Sequence, residues 1–179
     1  MLAVAQPSPG ALAVIDFLNS RPHSKRPQRE LLHTPETAAP LLRRFGQPEG
    51  VPPTLEALAE LRSLRGALIG VVVSPDSGHE WDELTDHASA VSFRQVFSAP
   101  GEVRPRQVSG NPVVGAVLLA VTELVATDTW SRIRICANKR CGHAFYDTTR
   151  SRTQRWHAYE PCGNRTNVAS YRARRSNAR

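Results

Sequence analysis

Apolar positions recur at helical spacing through most of the first 130 residues. In the stretch ALAVIDFLNS at 11–20, Leu12, Ile15 and Leu18 fall on one face, with Val14 and Phe17 beside it. Asp16 and Asn19 are the polar residues among them. Basic residues and two prolines make 21–29 a loop. Thr34-Pro35-Glu36 spells a helix start, with Thr as N-cap and Pro at the first helical position, and Gly46 ahead of Pro48 predicts its end. Thr54 opens another helix. Leu55, Leu58, Leu61, Leu64 and Leu68 carry its apolar stripe to about Val72, and Ser74-Pro75-Asp76 closes it. A fourth helix is predicted over 78–90. The period then changes: 92–98 and 102–108 alternate polar and apolar around Ala99-Pro100-Gly101, which predicts a β-hairpin. A strongly apolar helix follows from Asn111-Pro112 to about Thr127. Val113, Val117, Leu118, Val121, Leu124 and Val125 cover more than one of its faces, which predicts a central core helix.

The last 49 residues read differently. Ser131 to Cys136 alternates as a strand, and His143-Ala-Phe-Tyr146 reads as its return, with Phe145 or Tyr146 packed inside. Asp147-Thr-Thr149 marks a turn or helix start for the segment through Trp156, a candidate mini-core residue. A last helix is predicted from Gly163-Asn164 to about Arg174, with Val168 and Tyr171 facing inward.

Composition narrows the classes. The chain has 179 residues, 40% of them hydrophobic and 22% charged, so a wholly disordered chain is not expected. Its longest uncharged apolar run, 66–73, falls far short of the roughly 20 residues of a membrane helix. Met1 to Gln6 lacks a basic n-region and Pro7 and Pro9 follow, so no secretory signal is expected. Three Cys cannot close a disulfide framework, and a cytoplasmic protein with reduced thiols is the expectation. Charge divides the chain. Residues 1–130 hold 11 Lys+Arg against 14 Asp+Glu, whereas 131–179 hold 12 against 2. A slightly acidic body (1–130) thus joins a basic segment (131–179), and a split of this size points to a polyanionic partner.

All three Cys lie in the basic segment, in the pattern Cys136-x4-Cys141-x15-His157-x4-Cys162. A structural Zn²⁺ takes four thiolate or imidazole ligands in a tetrahedron, and two short-spaced pairs separated by a loop meet that need. A disulfide with one thiol left over does not suit a cytoplasmic chain. A catalytic Cys–His pair would leave the two pairs unexplained. His143 is the rival fourth ligand, but two residues after Cys141 it crowds the turn, so His157 is preferred. Binding free energy at such a site is folding free energy, on the order of 10 kcal/mol. The fold expected is mainly α with a small antiparallel β-hairpin in 1–130, followed by a zinc-stapled ββα-like, treble-clef-like module over 131–179. No Gly-rich phosphate loop, nucleophile elbow or paired acidic motif is present, and His79 and His87 stand isolated. The chain is not read as an enzyme.

Cys162-Gly163-Asn164-Arg165 spells CGNR. With Cys136-x4-Cys141, Phe145-Tyr146-Asp147-Thr148, Arg152 and Arg155-Trp156, the segment resembles the CGNR zinc finger. That finger usually ends bacterial proteins that begin with an ABATE domain and are described as stress-induced transcription regulators. Ile15-Asp16-Phe17-Leu18-Asn19-Ser20 is similar to the Leu-Asp-Phe-x-Asn-Thr signature that opens that domain. The resemblance covers nearly the whole chain, with one departure: the third ligand position usually holds Cys and here holds His157. It implies DNA binding and transcriptional regulation, in the cytoplasm and at the nucleoid when bound.

The residues offer a mechanism for that role. The helix after Cys162 would enter or lie along a groove of duplex DNA, presenting Arg165, Arg172, Arg174 and Arg175. Arg150, Arg152 and Arg155 would hold phosphates. Arg165 and Asn164 also have structural readings, as a knuckle brace and a helix cap. The body would serve as a sensor or a homodimerisation module. Asp16 and Asn19 are candidate contacts to a small-molecule effector, or else helix braces. Rival readings are an RNA-binding zinc protein, less favoured because the basic segment shows no row of stacking aromatics, and an adaptor for an acidic protein.

Overall fold

The computed structural model describes residues 6–22 and 30–164. The predicted helix after Cys162, with Val168 and Tyr171, therefore lies outside the described residues, as does most of the basic loop. Five α-helices, two β-strand pairs and several short 3-10 turns form the rest.

Helix α1 (Pro9–Leu18) starts earlier than the apolar pattern suggests, because Ser8 caps it by accepting from the Ala11 N–H and Pro9 takes the first position. It buries Ala11, Ala13, Val14, Ile15, Phe17 and Leu18, whereas Leu12, expected on the apolar face, lies with Asp16 on the exposed side. Helix α2 (Pro35–Leu42) opens on a Thr34/Thr37 capping box. It was expected to run to Gly46, but its last turn tightens to a 3-10 turn, Arg43–Phe45. Gly46, at φ 78°, ends it with Gln47 N–H reaching back to the Leu42 carbonyl and Gly46 N–H to that of Arg43. This tighter turn brings Phe45 edge-on to Phe17, centroids 5.8 Å apart.

Helix α3 (Leu55–Val73) buries Leu58, Leu61, Leu64 and Leu68 of the predicted stripe, with Val71 one turn further on, but Leu55 in its first turn is exposed. Helix α4 (Gly78–Ser89) lies against α3 and buries little beyond Leu84. Strands β1 (Ser92–Ser98) and β2 (Glu102–Ser109) form the predicted antiparallel hairpin, most of it exposed. Helix α5 (Pro112–Ala126), capped by Asn111, buries Val113, Val114, Val117, Leu118, Val121 and Leu124 against α1 and α3. Strands β3 (Ile133–Ile135) and β4 (Ala144–Tyr146) pair antiparallel, Ile133 opposite Tyr146 and Ile135 opposite Ala144.

Period-two alternation gives that last pair two different faces. Ile133, Ile135, Ala144 and Tyr146 join the large core made by α1, α3 and α5. Phe145 points the other way, into a small cluster with Cys136, Cys141, Trp156 and Cys162. The base of the metal-binding segment is thereby fixed on the helical body. Among the described residues no helix is long and apolar enough to cross a membrane.

Candidate metal centre and basic surface

The first ligand pair sits on a turn between β3 and β4. Cys136 N–H donates to the His143 carbonyl at 2.9 Å, continuing the ladder past Ile135. Asn138, nearly buried, shapes the turn: its side-chain oxygen accepts from Arg140 N–H and its carbonyl from Cys141 N–H. This folds Cys141 back beside Cys136. The second pair is delivered by an unusual local structure. Ala137 N–H bonds the Arg155 carbonyl at 2.8 Å, which docks the 154–157 segment on the first turn. Tyr159–Asn164 then forms a π-helical turn that buries Cys162 and Gly163. The helical turn was expected to begin after Cys162, but it already contains that ligand. Gly163 has a packing reason to lack a side chain, since a Cβ there would lie 2.8 Å from the Tyr159 ring and 3.3 Å from that of Trp156.

The segment 147–156 is not helical, although a helix start was one reading of Asp147-Thr-Thr149. Asp147 is fully buried and organises a loop instead. One carboxylate oxygen accepts from Thr149 N–H (2.8 Å) and the Thr149 hydroxyl (2.5 Å), and the other from Gln154 N–H (2.9 Å). Arg134 lies 3.6 Å away. Burial pushes this carboxyl up, but the Thr149 and Gln154 hydrogen bonds and the Arg134 charge outweigh it and hold it below the ordinary carboxylate range.

One ligand atom from each of Cys136, Cys141, His157 and Cys162 lies within 4.8 Å of the others. His157 Nδ1 is 3.4 Å from the Cys141 sulfur and 3.7 Å from that of Cys162. Zn–S bonds of about 2.3 Å and a Zn–N bond of about 2.0–2.1 Å at the tetrahedral angle require an S···N edge of about 3.6 Å. The two distances bracket that value. None of the three cysteines is in a disulfide. Burial, and beyond it the neighbouring Cys162 and Cys136, push the Cys141 thiol up to about 12. Thiols crowded in this way ionise together only when a cation compensates them, which a divalent ion does. The donor set therefore fits one zinc ion. His143 is not in the set. Its ring lies 4.6 Å from that of His157, and its Nε2 is 3.4 Å from the Asn19 amide nitrogen.

With the fold and the donor set established, comparison with known families is decisive. The model for ABATE, "Putative stress-induced transcription regulator", matches residues 11–131. The chain belongs to the ABATE family. The model for zf-CGNR, the CGNR zinc finger, matches residues 132–175. No curated protein matches the chain. The matched families are thus a regulator and a zinc finger, and within the finger Cys136, Cys141, His157 and Cys162 cluster for one zinc ion.

The predicted DNA-contacting arginines fare unevenly. Arg165, Arg172, Arg174 and Arg175 lie outside the described residues. Arg150 is exposed, and Arg155 is exposed with its guanidinium 5.2 Å above the Trp156 ring. Arg152 forks instead onto Asp128 and Ser131, both at 2.7 Å, from a backbone with φ 52°. In the body, Asn19 spends its amide on the Ala144 backbone, donating to the carbonyl at 2.9 Å and accepting from the N–H at 2.8 Å. Asp16 pairs with Arg44, which lines an open cleft of about 730 Å³ beside Leu12, Ala13, Phe45, Ala116 and Ala120. Sequence reasoning missed the roles of Asn138, Asp147 and Gly163. The Asp-x-Thr spacing of the second was the one signal for a side-chain-organised turn.

Proposed function

We propose that this ABATE protein is a transcription regulator that binds duplex DNA through residues 131–179, with 1–130 as its regulatory unit. The observation that carries this reading is a zinc-binding donor set inside a segment holding 12 Lys+Arg against 2 Asp+Glu. Three thiolates with one Zn²⁺ contribute a single negative charge, so the segment stays strongly cationic when loaded. The metal fixes the polypeptide around Cys136, Cys141, His157 and Cys162. The arginines that follow Cys162 in sequence, Arg165, Arg172, Arg174 and Arg175, contact the duplex. Arg150 and Arg155 add phosphate contacts from the loop before His157. Arg152 contributes by exchanging an exposed ion pair with Asp128 for a phosphate, an exchange that such pairs resist weakly.

A salt titration of duplex binding tests the reading. Log K should fall steeply and linearly with log salt, and replacing Arg172, Arg174 and Arg175 with Gln should flatten the slope by about 0.9 per lost phosphate contact. Absence of duplex binding at low salt, with retention of structured RNA or of an acidic protein, would overturn it.

A further inference from the structure

The β1–β2 ribbon carries a charge pattern that the zinc segment does not account for. In the register of the pair, Arg94 stands opposite Arg106, Val96 opposite Arg104 and Ser98 opposite Glu102. Alternation puts Arg94, Val96, Ser98, Glu102, Arg104 and Arg106 on one face, and Phe93, Gln95, Phe97, Val103, Pro105 and Gln107 on the other. The second face holds the ribbon to the body at its base, through Phe93 in the core margin and Gln107 against α5 at Gly115. The first face is exposed, and all three of its arginines are exposed. Like charges directly opposite one another destabilise a hairpin. Here two arginines face each other, and among the described residues neither has an acidic partner. Arg104 alone is paired, with Glu102 at 2.7 Å. This basic stripe stands on a body whose overall balance is acidic.

We propose that the β1–β2 ribbon is a second DNA-contacting element, laying the face that bears Arg94, Arg104 and Arg106 against the backbone phosphates of the duplex. The inference rests on the duplex-binding reading above and adds a surface to it. A two-stranded ribbon has the cross-section that a B-DNA major groove admits. Arginines on one pleated face offer fork-shaped donors to successive phosphates. Strand addition to another copy of the chain is the competing use of an exposed hairpin. It is disfavoured by Pro105, which removes a backbone donor in β2, and by the irregular register between Ser92 and Phe93.

The test is a salt titration of duplex binding by the zinc-loaded full chain and by Arg94→Gln/Arg104→Gln/Arg106→Gln, with sedimentation of both proteins. Expected is a slope shallower by about 2–3 and affinity lower by about a hundredfold near 0.1 M salt, with zinc content, melting temperature and oligomeric state unchanged. Phe97→Ser, on the opposite face, should leave the slope as it was. Should the triple variant fold poorly, Arg94→Gln and Arg106→Gln made separately should each lower the slope by about 0.9. If the unaltered chain binds duplex and the arginine variants keep its slope, the ribbon proposal falls while the duplex-binding reading stands. A change in oligomeric state with an unchanged slope would also overturn it, in favour of self-association. If the unaltered chain binds no duplex, both readings fall.

Discussion

At the scale of single residues, the centre turns on which imidazole completes the tetrahedron. His157 presents Nδ1 to two sulfurs, whereas His143 turns Nε2 toward the Asn19 amide. Native mass spectrometry should show one zinc per chain, lost in His157→Ala and in Cys162→Ser and retained in His143→Ala. Zinc retained at full stoichiometry in Cys162→Ser would contradict the donor set. Asp147 makes a second residue-scale case. Three donors converge on its buried carboxylate, and an amide in its place would set an NH₂ group against at least one of them. Asp147→Asn should cost about 1.5–3 kcal/mol in urea denaturation at neutral pH. An unchanged midpoint would show that the loop does not depend on that charge. The ligand pattern was legible in the sequence because zinc restricts donor type and spacing so tightly. Asp147 was legible only as a turn residue, from its spacing to Thr149; its hold on the longer loop was not, because the further partner is the Gln154 backbone N–H, which leaves no mark in the sequence.

At the scale of elements, helices were legible wherever periodicity and a capping residue agreed, as at Thr54 for α3 and Asn111 for α5. The second helix ends at Gly46 as its sequence says, but its last turn is 3-10, drawn tight to seat Phe45 on Phe17, and the helical turn around Cys162 starts at Tyr159, four residues before the start read at Gly163. Contacts between distant elements left no sequence trace. Asn19, just past α1, reads β4 as a strand partner would, and Arg21 donates to the Gly142 carbonyl at 2.8 Å. Asn19→Ala should leave zinc bound yet speed hydrogen exchange through 133–146, since two backbone groups lose their partner. Unaltered exchange there would show that core burial alone holds the strands. Arg65 of α3 performs a similar joining inside the body. It is buried, forks onto Glu30 at 2.7 and 2.6 Å, and donates to the Ser20 hydroxyl at 2.6 Å. Burial raises the Glu30 carboxyl. The bonds from Arg65 and Leu32 N–H, with the Arg65 and Arg62 charges, more than reverse this and leave it below its ordinary 4.5. A carboxyl lowered in the folded state binds fewer protons there than when unfolded. Its stabilisation is therefore complete above pH 4.5 and is lost as pH falls through the depressed value. The stability difference between the parent and Glu30→Gln should shrink as the pH is lowered below 4.5. A difference independent of pH would mean that the pair is not ionised in the fold.

At the scale of the whole molecule, two stabilising systems meet at the β3–β4 pair. One is the apolar core of α1, α3 and α5, which includes Ile133 and Ala144 and contains no metal ligand. The other is the small cluster of Cys136, Phe145 and Cys162 with Cys141 and Trp156, too small to order its segment without a metal crosslink. Metal removal should therefore separate them. With a strong chelator under reducing conditions, far-UV circular dichroism at 222 nm should keep most of its amplitude, because α1 to α5 draw their stability from the first core. Exchange protection should vanish around Cys136–Cys141 and 155–162 and persist in α3, α5 and the β3–β4 pair, which the first core holds. Duplex binding should be lost with the metal and return when zinc is restored, since arginines on an unfolded segment no longer hold a common spacing. Two results would break this account. Global unfolding on chelation would mean that the helical body leans on the metal. Duplex binding that survives chelation with the same salt slope would mean that cationic charge alone, without the shape the ion imposes, carries the interaction.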